Sequence, residues 1–133
     1  MTGFRVQVNA TRTGPFRDGR FQRAASQYSD ALNFAVAEHG EKLVDRRLNQ
    51  VLKTQTPYYR LRVTVRRARG GYEVWDQGVV YGPWLEGTGS RNHPVTKFRG
   101  YQTFRRVKPI VDRDANRIAM DLLRRYQARG LLR

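Results

Sequence analysis

Apolar positions along the chain change period twice, and each change marks a change of element. Phe4, Val6 and Val8 alternate with Arg5, Gln7 and Asn9, the period-two pattern of a half-buried strand. The segment "ATRTGPFRDGR" that follows holds Gly14-Pro15 and Asp18-Gly19 and predicts a loop. Apolar residues then recur at helical spacing: Phe21, Ala24, Ala25, Tyr28, Leu32, Ala35 and Val36, and again after His39-Gly40 at Leu43, Val44, Leu48, Val51 and Leu52. One long helix, open to bending at Gly40, is the expectation, with Pro57 ending it.

A strand regime follows. Tyr59, Leu61, Val63 and Val65 are expected on one face, and Arg60, Arg62, Thr64 and Arg66 on the other. Gly70-Gly71 supplies a tight turn, and Tyr72, Val74 and Trp75 form the returning arm of a hairpin. A third strand is expected at Val79 to Leu85, then irregular chain over residues 86–102. The last helix is expected from Pro109, with Asp112 and Asp114 in its first turn. Val111, Ala115, Ile118, Ala119, Leu122 and Tyr126 form its stripe, and Gly130 is its stop. These elements predict an α+β domain: a mainly antiparallel sheet of about four strands, with a long helix in the N-terminal half and a C-terminal helix packed on it.

Length then limits the count of domains. A chain of 133 residues fills one domain, taken as residues 1–133. Its formal charge of +15 is more than solubility requires and points to an acidic partner, whether nucleic acid, an anionic surface or a protein. With no cysteine, disulfides and thiolate zinc sites are excluded, which suits a reducing cytoplasm. No apolar run has the length of an export signal or a membrane span, so neither is expected.

Candidate chemistry is sparse. His39 and His93 are the only histidines and make no metal-binding spacing, so neither a metal nor a cofactor is expected. Glu38 with Glu41, and Asp112 with Asp114, read as solvated helix charges rather than paired catalytic acids. The glycines of "EGTGS" lack the G-K-[ST] and the following helix of a phosphate loop. An enzyme is not expected.

Basic residues are more informative. No acid lies between Asp45 and Glu73, a span containing Arg60, Arg62, Arg66, Arg67 and Arg69, and none lies from Gly87 to Val111. Arginines at alternate strand positions would form a row suited to phosphates, or simply a solvated face; the missing acids favour a polyanion-facing or partner-facing surface. Interleaved aromatics, among them Tyr81, Trp84, Phe98 and Tyr101, suit core or subunit packing better than base stacking.

The stretch "VVYGPWLEGTGSRNHPVTKFRGYQTF" also carries a resemblance. Tyr81, Trp84, Leu85, Glu86, Gly87 and Thr88, followed by "F-x-G-Y-x-x-F", resemble the small neck proteins of long-tailed bacteriophages. This is the head-tail joining and tail-completion family, in the version carried by phages of actinobacteria. The resemblance implies a structural virion protein: a ring, six-fold in expectation, around the DNA channel between the portal or adaptor and the tail tube, of tail-terminator or head-closure type. It would assemble in the host cytoplasm and reside at the head-tail junction. Tyr81, Trp84, Leu85, Glu86, Gly87, Thr88, Arg91, Phe98 and Tyr101 would form subunit or ring contacts, with loop 86–102 as the assembly element. Glu86, the lone acid, would pair with an arginine of its own or the adjacent subunit. Arg60, Arg62, Arg66, Arg67 and Arg69 would face DNA without reading its sequence, or an acidic neighbouring ring. The alternative is a small basic nucleic-acid-binding module that acts without ring assembly.

Overall fold

A computed structural model describes residues 2–8, 19–52 and 58–130. Of the loop expected at residues 10–20, residues 10–18 lie outside these residues, as does the stop at Pro57, while Gly19 and Arg20 belong to the first helix. The elements run β1 (Gly3–Val6), α1 (Gly19–Val51), α2 (Tyr58–Arg62), β2 (Thr64–Ala68), β3 (Gly71–Trp75), α3 (Gly82–Glu86) and α4 (Thr103–Ala128). The three strands form one antiparallel sheet in the order β1-β3-β2. The fold class is therefore α+β, with α1 and α4 packed on the sheet. Among the described residues the strands number three rather than four.

The 33-residue α1 is continuous through Gly40. A side chain at Gly40 would come within 2.9 Å of the Phe4 ring and 3.3 Å of Val111, so this glycine lets β1 and α4 approach the helix. Leu32, Val36, Val44 and Leu48 line its buried face and meet Val74 of β3 and Val111 of α4 in the core. Polar groups fasten the same layers. Buried Asn33 accepts from the Val8 amide at 2.6 Å and donates to the Val8 carbonyl at 3.2 Å, tying the chain after β1 to α1. The Tyr28 hydroxyl donates to the Ala119 carbonyl, and His39 Nε2 meets Asp114 Oδ2 at 2.9 Å, linking α1 to α4 at two levels.

Three expectations are corrected. Residues 58–62 form a helical turn, not the start of a strand. Positions 59 and 63 share a side in either geometry, and both Tyr59 and Val63 are buried; Leu61, which a strand would bury with them, is 69% exposed. The strand expected at Val79 to Leu85 is absent. Pro83 has no amide to donate and sits in the first turn of α3, while Val80 stands 95% exposed before it. Finally, α4 starts at Thr103, so Pro109 lies inside it and Asp112 and Asp114 are not in its first turn. Its end at Ala128, with Gly130 at φ 71°, agrees with the expected stop.

Candidate functional site

The nine residues singled out between Tyr81 and Tyr101 come together in one folded-back unit. α3 is short, and the Pro83 carbonyl accepts from three successive amides, Gly87, Thr88 and Gly89, which turns the chain sharply. Gly87 lies at φ +106°, and a Cβ there would sit 2.2 Å from the Arg99 carbonyl oxygen. Gly100 approaches the same point from the other arm, where a Cβ would be 2.3 Å from Gly87 Cα. Two glycines therefore let the arms of the loop touch backbone to backbone. The Tyr101 amide donates to the Leu85 carbonyl at 2.7 Å and the Gln102 amide to that of Glu86 at 3.1 Å, closing the loop.

Side chains lock the closure. The Trp84 and Phe98 rings lie 4.7 Å apart, and Phe98 meets Tyr101 edge-on at 5.3 Å, while Leu85 is buried. These three aromatics thus pack on one another within the chain. Tyr81 is less enclosed: it is 43% exposed, with its ring 5.8 Å from Tyr59. Thr88 and Arg91 are exposed at the surface of the loop. Asn92, which the sequence reading did not single out, is the organiser inside it. Its side chain is buried, accepts from the Gly89 amide at 2.7 Å, and donates to the Trp84 and Phe98 carbonyls. The sequence signal was an asparagine in a glycine-rich turn, where an amide can serve backbone donors and acceptors together.

Within the chain, Glu86 meets backbone amides. Its two carboxylate oxygens accept from the amides of Phe104 and Arg105, both at 3.0 Å, and so cap the start of α4 from a distant part of the sequence. Gln102, at the N-cap position itself, makes no side-chain cap. Burial pushes the Glu86 carboxyl above its ordinary range, and the backbone donors oppose this without cancelling it. The tyrosine beneath the unit behaves similarly. Tyr59 donates to Asp76 Oδ2 at 2.8 Å, and burial, followed by that bond, raises its hydroxyl well above the usual range. Asp76 is fully buried and also accepts from the Gly78 amide, holding α2 against the turn that leads into α3.

The row expected of arginines at alternate strand positions, Arg60, Arg62 and Arg66, does not form. Because α2 is helical, Arg60 and Arg62 point to different sides. Arg60 reaches Asp45 at 3.3 Å, and Arg62 lies over the Tyr58 ring at 5.5 Å. Arg66 sits opposite Glu73 in the β2–β3 register, bonds it at 3.0 Å, and stacks on Trp75 with 3.4 Å between guanidinium carbon and ring centroid. Arg67, on the other face, contacts Asp30 at 3.2 Å and the Tyr72 hydroxyl at 2.9 Å. Arg69 lies exposed beside the hairpin turn.

Other surface features are shallow. A groove of about 490 Å³ between α1 and α4 is lined by Leu43, Arg46, Arg47, Gln50, Arg106 and Ile110. Among the described residues, no three metal-ligating side chains converge and no helix is long and apolar enough to cross a membrane. No protein-family model, curated protein or solved structure matches the chain.

Proposed function

We propose that this chain is a structural subunit of a bacteriophage head-tail connector, forming a ring around the DNA channel between portal or adaptor and tail tube. The observation that supports this most is the coherence of the "YGPWLEGTGSRN…F-x-G-Y" stretch. Most of the residues that carry the resemblance belong to one hydrogen-bonded unit packed by its own rings, which suits a docking element better than a catalytic or phosphate loop. Beside it the chain exposes Tyr58 (52%), Leu61 (69%), Val80 (95%) and Tyr81. Apolar and aromatic side chains clustered on α2 and the approach to α3 offer one half of a heterologous contact, whose other half is a different face of the next subunit. The α+β architecture and the +15 charge agree with a subunit that docks against acidic neighbours and lines a channel for DNA.

Native mass spectrometry and electron microscopy test the proposal. The chain, alone or mixed with phage adaptor and tail-tube proteins, is expected to give a discrete ring. A monomer under every condition, partners included, would overturn it. Substituting Leu61→Arg and Val80→Asp, which places charges on the exposed apolar group at two positions outside the core, is expected to abolish the ring and leave the fold intact.

A further inference from the structure

We infer that the groove between α1 and α4 is a binding site for the phosphodiester backbone of nucleic acid, held by Arg46, Arg106 and Arg47. The inference goes beyond the connector reading and does not require ring assembly. It starts from a contrast in how arginines are used. Arg60, Arg66 and Arg67 are each matched to one carboxylate within the chain, at 3.0 to 3.3 Å. Three arginines line the groove, and none of the lining residues is an acid. Arg46 and Arg106 are exposed, and neither has an ion-pair partner among the described residues. Arg46 also borders a depression containing Glu41 and Asp45, but Asp45 is engaged by Arg60. Arg47 is only partly satisfied: Nη2 donates to the Tyr101 carbonyl at 3.3 Å, and its buried Nε finds no acceptor.

This arrangement suits phosphates better than a protein carboxylate. One arginine satisfies a carboxylate, as the pairs elsewhere in the chain do, whereas a nucleic-acid backbone presents closely spaced charges that several guanidiniums share. Gln50 adds a neutral amide donor, and the half-buried Leu43 and Ile110 give sugar faces an apolar floor. Nothing in the groove is placed to read base edges, so binding without sequence preference is expected.

Fluorescence anisotropy of the full chain with a labelled duplex DNA of mixed sequence, across a salt series, tests the site. The double variant Arg46→Gln/Arg106→Gln removes the two exposed guanidiniums and leaves Arg47 holding the Tyr101 carbonyl, so folding, checked by circular dichroism, is retained. Binding is expected to weaken by on the order of tenfold at low salt, with the salt slope flattened by about two. A control double variant, Arg117→Gln/Arg124→Gln, loses the same charge from positions near Asp114 and Asp121 and is expected to bind almost as the wild type. Equal losses in both doubles would overturn the site by reducing it to net charge, as would wild-type affinity in the groove variant. Polyglutamate of matched length is expected to be a poor competitor. Competition on equal terms with DNA would assign the groove to an acidic protein partner instead. Ring formation, read separately by native mass spectrometry, keeps failure here distinct from failure of the connector proposal.

Discussion

The β2–β3 hairpin and the loop from α3 to α4 each contain one acid in a basic neighbourhood, and they use it in opposite ways. Glu73 is answered by a side chain: Arg66 lies across the strand pair, bonds one carboxylate oxygen and stacks on Trp75. Glu86 is answered by backbone, the first amides of α4. Removing Glu73 would leave a guanidinium that is 39% exposed, keeps its stacking on Trp75 and can turn to water. Removing Glu86 would take the acceptor from two helix-terminal amides, one of them on the buried Phe104. In a chain with so few acids, the cost of losing one depends on what its partner can do alone.

The loop side of this comparison breaks most severely at Gly87. Alanine there meets both an unfavourable φ of +106° and the Arg99 carbonyl at 2.2 Å. A loss of about 3 kcal/mol or more in unfolding free energy is expected from combined strain and overpacking, measured by denaturant titration. Glu86→Ala comes next, at about 2 kcal/mol, because a cap is lost and the part-buried Phe104 amide is left unpaired. Glu86→Gln keeps one acceptor oxygen and is expected to cost about half as much. Full stability in Glu86→Ala would show that α4 does not depend on its remote cap.

How visible these features were in the sequence follows the same division. β1, α1 and the turn at Gly70-Gly71 were legible because periodicity and turn chemistry are local signals, and the buried residues Phe4, Val6, Leu32 and Val44 fall where the pattern put them. α2 was misread because burial at positions 59 and 63 fits a helix and a strand alike; only the exposure of Leu61 separates them. The start of α4 was hidden because its cap is supplied by Glu86, remote in sequence, while Pro109 gave a convincing local start signal in the wrong place. The aromatics of the loop could be named in advance, but the bonding of Asn92 could not. The α1–α4 groove was invisible for a related reason, since Arg46 and Arg106 meet only after the helices pack.

On the hairpin side, Glu73→Ala is expected to cost about 1 kcal/mol, less than Glu86→Ala, because Arg66 can be rehydrated and keeps its stacking on Trp75. Thermal unfolding of the two alanine variants under identical conditions checks the order. If Glu73→Ala proved the more damaging, the side-chain pair rather than the remote cap would be the stronger fastening.

The smallest effect is a matter of sign. Burial raises the Glu86 carboxyl, so the folded state binds that proton more tightly than the unfolded chain. The stability this group contributes is fully present below its unfolded pKa and is lost as pH rises through the folded value. Asp114 runs the other way. Its hydrogen bond with His39, followed by that with Arg113, lowers its carboxyl, so its contribution is present above the unfolded pKa and is lost as pH falls through the folded value. Unfolding free energies of the wild type, Glu86→Gln and Asp114→Asn are therefore compared from neutral pH into the acid range. As pH falls, the wild type is expected to gain on Glu86→Gln and to lose its advantage over Asp114→Asn. Slopes of the same sign would mean that the amides capping α4 outweigh burial at Glu86, making it a carboxylate that the fold prefers ionised, as Asp114 is.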